Sequence, residues 1–270
     1  MIATLNKARM AMANYRAAPG MLRRVAEIAS RGVILRRRLP APFGRKPLYV
    51  SPDCGLRYWC LDVGKTDPVL LRMVDRYVRP GDVVWDVGAN VGLFGFAAAH
   101  RASRVILFEP DSWLAGLLER TASHYENVSV MRVAVADYCG IGTLHIAARA
   151  RASNFLHGKG STQAGGERWA REVQVLALDS LPEPPPDVLK IDVEGDELAV
   201  LRGTTRILAE ARPRVICEVS RHNQEAATAL LHDYALFDGD TGERVASAVW
   251  NTVAIPQDVK RANLTHLSRS

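Results

Sequence analysis

The stretch Gly81-Asp82-Val83-Val84-Trp85-Asp86-Val87-Gly88-Ala89-Asn90-Val91-Gly92 decides the fold. Val83–Asp86 is a short apolar run ending on an acid, as in a strand buried on both faces. Gly88 and Gly92 predict a tight turn with close backbone approach, and a helix over Gly92–His100. Outward from this unit the pattern repeats. Strands are expected at Val105–Glu109, Val128–Ala136, Thr143–Ala147, Val173–Leu178, Val188–Asp192 and Arg214–Val219, with a final pair at Ala235–Phe237 and Ala248–Ile255. Helices are expected at Pro68–Val78, Ser112–Ser123, about Asp196–Ala209 and Gln224–Asp233. Alternation of this kind calls for an α/β fold, a largely parallel sheet covered by helices on both faces. Ligands of such sheets bind beyond the carboxyl ends of the strands, so the residues following each strand are the ones to inspect.

The 270 residues are 48% hydrophobic and 24% charged, a globular composition that excludes collagen-like, disordered and disulfide-scaffold classes. Formal charge is +6, but residues 1–46 hold eleven basic side chains against one acid, Glu27, and the remainder is net acidic. The high pI therefore belongs to the N-terminal segment, and no nucleic-acid partner is inferred from it. Residues 1–38 read as helical and the prolines after them as a boundary. This gives a basic helical extension at 1–46 and a main domain at 47–270. The extension is read as a helical lid or packing arm, or as a surface meeting anionic lipid or an acidic partner; a transit peptide is disfavoured because nothing resembles a cleavage site. A hairpin is expected at 48–62, and a Gly/Ser/Arg-rich loop at 148–170 that closes over an acidic or phosphorylated acceptor or carries no order. Cys54, Cys60, Cys139 and Cys217 form no C-x-x-C pair and no zinc spacing. No apolar run approaches the ~20 residues of a membrane span, and a cytoplasmic location is expected.

Five strand ends carry chemistry-bearing residues. Asp86 stands where an acid meets a ligand's hydroxyls or ammonium, beside a helix N-terminus suited to a carboxylate. The spacing Gly-x-x-x-Gly is not the dinucleotide fingerprint. Glu109 ends the next strand, where a carboxylate holds a ribose diol. Asp137 follows Val135-Ala136 and reads as an adenine contact or a turn residue. Lys190 and Asp192 share one face of a strand, with Glu194 following. A lysine in a buried strand is costly unless paired. Glu218 lies in an apolar strand, and His222 follows it as a candidate general base near neutral pH.

Together, Gly81–Gly92, Phe108-Glu109-Pro110 and above all Leu189-Lys190-Ile191-Asp192-Val193-Glu194-Gly195 resemble the FkbM family of S-adenosylmethionine-dependent methyltransferases. The resemblance covers roughly residues 68–256. It implies a Rossmann-like sheet of seven strands with an antiparallel last strand, and methyl transfer to oxygen. By it, Asp86, Gly88, Asn90 and Gly92 hold the methionine part of the cofactor, Glu109 the ribose and Asp137 the adenine. The acceptor is then a hydroxyl of a sugar, glycan or polyketide-type natural product, with Asp192 or His222 as general base. A Mg²⁺-assisted variant would use Asp192 and Glu218 as ligands, with Glu194 nearby. A nicotinamide oxidoreductase is disfavoured by the glycine spacing. A cofactor-binding module without catalysis is disfavoured because it has no need of the acids at 192 and 194.

Overall fold

The computed structural model describes residues 20–156 and 166–257. Helix α1 (Gly20–Ala29) leads to a hairpin of β1 (Leu35–Arg38) and β2 (Pro47–Val50). Helix α2 (Pro68–Tyr77) follows, then β3 (Val83–Val87), α3 (Leu93–Ala98), β4 (Arg104–Phe108), α4 (Ser112–Ala122) and β5 (Val128–Met131). A separate group comprises β6 (Ala134–Val135), β7 (Gly140–Ala147) and β8 (Glu167–Leu176). The alternation resumes with β9 (Val188–Ile191), α5 (Glu197–Arg202), α6 (Thr205–Glu210), β10 (Arg214–Glu218), α7 (Gln224–Leu230), β11 (Tyr234–Asp238), β12 (Arg244–Val245) and β13 (Asn251–Pro256).

The central sheet runs β12-β11-β13-β10-β9-β3-β4-β5. Neighbours from β10 to β5 are parallel, and β13 enters antiparallel between β10 and β11. Chain order reverses between β3 and β9, the kind of switch point at which such sheets bind ligands. Period-two side-chain alternation divides the core. Val84, Val105, Leu107, Val188, Ile216 and Val253 face a layer built from α2, α3, α4 and the β1–β2 hairpin. Trp85, Val87, Ile106, Phe108, Leu189, Ile191 and Val215 face α5, α6 and α7. Asp86, Lys190 and Glu218 occupy the first of these faces at its carboxyl end, so strand parity alone brings three ionisable side chains together.

The structure departs from the sequence reading in several places. The sheet has eight strands rather than seven, because the two-residue β12 adds an edge beside β11. The helix expected over 1–38 stops at Ala29, with Gly32 in the left-handed region, and Leu35–Arg38 is a strand. Its alternation puts Arg37 inward, donating to the carbonyls of Cys60 (2.9 Å) and Trp59 (3.3 Å). β2 therefore pairs with β1, not with 56–61, which forms short 3₁₀ turns. Residue 46, the expected boundary, falls inside this hairpin, and Leu39 and Phe43 before it belong to the main core. The strand expected over 128–136 splits as the chain passes from the central sheet to the three-stranded one. The helix expected over 196–209 breaks at Gly203, where a Cβ would meet the Ala136 carbonyl oxygen at 2.0 Å. Residues 1–19, and His157 and Lys159 of the long loop, lie outside the described residues. No helix among the described residues is long and apolar enough to cross a membrane.

Candidate active site

The turn after β3 is stitched to its neighbours by its own backbone. Gly88 and Ala89 donate N–H to the Phe108 carbonyl (3.0 and 3.1 Å), and Asp192 donates its N–H to the Val87 carbonyl (3.0 Å). Gly88 has φ +71°, and a Cβ there would stand 2.0 Å from the Asp192 carbonyl oxygen. Only glycine lets the β3 turn and the β9 tip approach this closely. Gly92 has a different reason, since its Cβ would strike Phe96 and Leu118 (2.5–2.7 Å). It is a packing glycine and lines no part of the cleft. The Asn90 N–H goes to Glu109 and the Gly95 N–H to Asp86. Much of the donor capacity expected to face a ligand's carboxylate is thus spent within the protein.

Asp86 is fully buried and does not reach the cleft. Its Oδ2 accepts from Gly95 N (3.1 Å), and its Oδ1 lies 3.0 Å from Lys190 Nζ. Burial pushes the Asp86 carboxyl up while Lys190 pulls it down. Lys190 is 4% exposed; it also donates to the Gly88 carbonyl (3.1 Å) and stands 3.3 Å from Asp192 Oδ2. Burial works to lower the ammonium pKa, but Asp192 and Asp86 outweigh it, and Lys190 is held above its ordinary range. One buried cation thus links β3, the glycine turn and β9.

A cleft of about 690 Å³ opens over this floor. Its walls include Gly88, Asn90, Phe108, Glu109, Val133–Val135 and the tip residues Asp192 and Glu194. Glu109 is 5% exposed, accepting from Asn90 N (2.9 Å) and Asp111 N (3.0 Å). Burial drives its pKa up to about 8, even though those two donors pull the other way. Asn90, a non-glycine at φ +56°, has a buried Oδ1 without a hydrogen-bond partner. Asp137 is exposed and outside the cleft. Val133, Ala134 and Val135 form that wall instead.

A second, broader cleft of about 1330 Å³ adjoins the first and shares Asn90, Ala152, Asp192 and Glu194 with it. Glu218, Arg57 and the half-exposed Trp250 are among its walls. Burial and the nearby Asp192 raise the Glu218 carboxyl to about 8. His222 is exposed in the short turn Arg221–Asn223 and lines neither cleft. Past the end of β10 the chain turns outward, so adjacency in sequence does not bring His222 to the strand tips. Among the described residues no three His, Cys, Asp or Glu side chains converge to hold a metal ion. The cation beside Asp192 is Lys190, and the donor set does not fit a Mg²⁺ site.

The loop expected to close over the site supplies a roof, held by a clamp that local sequence does not announce. Arg151 is buried and pairs with Asp53 (3.0 Å) and Asp111, while Arg168 reaches the other oxygen of Asp53 (2.7 Å). Asn154 donates to Asp111 (3.1 Å) and accepts from Ala147 N (3.0 Å), and the Arg151 guanidinium lies over Trp113 and Trp169. Segment 148–156 is therefore clamped between the turn at Asp53 and the N-terminus of α4. Arg149, too, faces a protein carboxylate, Glu27 (3.4 Å). Among the described residues, the two loop arginines read as acceptor-binding, Arg149 and Arg151, are paired with carboxylates of the chain.

A glycine turn after β3, an acid after β4, an inserted antiparallel strand and a cleft at the switch point define a methyltransferase-like α/β fold. The chain belongs to the FkbM methyltransferase family, whose domain model matches residues 86–243. It is 30% identical over 144 residues to the hexuronic acid methyltransferase AglP of Haloferax volcanii, covering 52% of this chain and 56% of that protein. A shorter match, 43% identical over 68 residues, relates it to ribosomal RNA small subunit methyltransferase A of Pediococcus pentosaceus, 24% of this chain and 23% of that one. The chain thus spans little more than half of the first relative and about a quarter of the second. Among solved structures, methyltransferase FkbM of Methylobacillus flagellatus aligns at 16% identity with TM-score 0.44, over 74% of this chain and 56% of that one.

Proposed function

We propose that the protein is an S-adenosylmethionine-dependent O-methyltransferase, with the cofactor in the narrower cleft and a sugar or glycan hydroxyl in the broader one. The observation that carries this reading is the shared wall at Asn90, Asp192 and Glu194, where the two clefts meet. The narrower cleft fits the cofactor's parts. Glu109 suits a ribose diol, Phe108 and Val133–Val135 suit a flat apolar base, and the unpartnered Asn90 Oδ1 suits a donor such as an ammonium. When bound, the cofactor supplies an electrophilic methyl group on a sulfonium.

The work left to the chain is to orient a hydroxyl and take its proton as the oxygen–carbon bond forms and the carbon–sulfur bond breaks. Asp192 stands at the junction with Oδ2 toward Lys190, and its Oδ1 has no protein partner among the described residues. It is assigned the proton. Glu218, raised to about 8, stays protonated through neutral pH and donates a hydrogen bond to the acceptor. Asp86 and Lys190 position Asp192 and the glycine turn from beneath. The AglP relationship supports a sugar acceptor, and hexuronic acids are the first compounds to try.

The test measures release of S-adenosylhomocysteine with methyl hexuronides and neutral hexosides, alongside calorimetric titration of the cofactor. Asp192→Asn is expected to lower kcat by about 10²–10⁴-fold with cofactor affinity intact, while His222→Ala leaves both unchanged. Full activity in Asp192→Asn overturns the assignment of the base. Failure of the folded wild type to bind S-adenosylmethionine overturns the reading as a whole.

A further inference from the structure

Helix α1 is inside out for a surface helix. Arg23, Ala26 and Glu27 are its partly covered residues; Arg23 and Glu27 pair at 2.9 Å, and Glu27 also meets Arg149. The aliphatic residues Leu22, Val25 and Ile28 point to solvent at 62%, 59% and 53% exposure. A soluble helix puts its apolar stripe on the body and its charges outward. Here the stripe is left open, with exposed Arg24 and Arg31 beside it. The outward face of the chain leading into β1 repeats the composition, with Ile34, Arg36 and Arg38 exposed in alternation and Leu35 and Arg37 turned inward.

We propose that this face is a membrane-surface anchor for anionic lipid: Leu22 and Val25 enter the headgroup–acyl boundary, and Arg24, Arg31, Arg36 and Arg38 meet the headgroup charges. Apolar residues set among cations fit an interface that is itself apolar below and anionic above. Charge selects among occupants. A second copy meeting this face would bring the same four arginines against these, a repulsive contact with no acid to offset it. Residues 1–19 add Lys7, Arg9 and Arg16 and no acid, so they are no better matched as a cover. Arg23 and Glu27, on the covered side of α1, line the broader cleft, so a helix lying on the bilayer keeps that cleft near the membrane. The anchoring itself does not depend on the catalytic reading.

The experiment is co-sedimentation of the full chain with vesicles of phosphatidylcholine alone or mixed with phosphatidylglycerol. Binding to the anionic vesicles is expected to be at least about tenfold stronger. Leu22→Glu/Val25→Glu is expected to weaken it by about tenfold or more, and so is Arg24→Glu/Arg31→Glu. All four side chains are exposed, and a coincident thermal melt verifies that each variant folds. Absence of binding to anionic vesicles overturns the proposal. So does binding that the Arg24/Arg31 variant loses and the Leu22/Val25 variant keeps, which describes a polyanion such as nucleic acid. A dimer in sedimentation equilibrium that Leu22→Glu/Val25→Glu dissociates, without vesicle binding, assigns the face to a second copy instead.

Discussion

The floor and the roof of the narrower cleft are held by opposite means. In the floor, residues 86–92 and 190–194 come from adjacent parallel strands, Asp86 standing beside Lys190 in register. Backbone hydrogen bonds set the turn, and one buried lysine neutralises the acids around it. In the roof, residues 148–156 have no central-sheet partner, and Arg151 ties them to carboxylates 98 and 40 positions away in the chain. The floor is fixed by topology, which any chain of this fold supplies. The roof is fixed by particular side chains, which a related chain can lose or replace. Acceptor preference is therefore expected to vary through the roof and the outer cleft, and cofactor binding to stay with the floor.

The floor is the more expensive part to break. Lys190→Met leaves Asp86 buried without a counter-charge, and such a loss costs about 3–5 kcal/mol. Chemical denaturation is expected to show a destabilisation of that size, together with loss of cofactor binding. Adding Asp86→Asn to Lys190→Met is expected to return much of the stability, because the uncompensated charge is then gone. A double variant no more stable than the single one would mean that Lys190 acts mainly through the Gly88 carbonyl.

In the roof, Arg151→Gln is expected to cost less, about 1–3 kcal/mol. Asp53 keeps Arg168, and Asp111 keeps its bonds from Asn154 and Trp113 N. Its larger signature is local. Hydrogen exchange at residues 147–156 is expected to rise while that of β3 and β9 stays slow, and KM for the acceptor rises more than that for the cofactor. Equal loosening of both regions would remove the distinction between them.

The floor was legible because it is local. Val83–Gly92 and Leu189–Gly195 each announce a strand, a turn and an acid, and Lys190 in an apolar strand demands a partner whatever the fold. Sequence overstated how much of that polarity faces a ligand, because hydrogen bonds such as Asn90 N to Glu109 form only once β3 and β4 are paired. His222 and Asp137 show the same limit, since each follows a strand and each is turned to solvent by the next bend. The clamp of Arg151, Asp53, Asp111 and Arg168 joins four separate stretches, and nothing in their local pattern marks the pairing. Trp250 and Arg57 enter the outer cleft for the same long-range reason.

The remaining effect is a pH dependence confined to the junction of floor and roof. Glu109 is bonded from Asn90 on one side and Asp111 on the other, and burial raises its pKa to about 8. An acid whose pKa is higher folded than unfolded binds its proton more tightly in the native state. Its contribution therefore favours the native state at low pH and is lost as pH rises from about 4.5 toward 8. Ribose hydroxyls that donate to Glu109 prefer the carboxylate, so cofactor affinity moves the opposite way. It is expected to rise with pH by up to about tenfold per unit below 8 and to level off above. The cofactor's own amino group titrates in the same range, and Glu109→Gln serves as the reference that carries only that contribution. The ratio of wild-type to Glu109→Gln affinity is expected to increase from pH 6 to 9, and the variant to lose less thermal stability over that interval. A ratio flat with pH would place the ribose elsewhere, and with it the orientation of the cofactor across the floor.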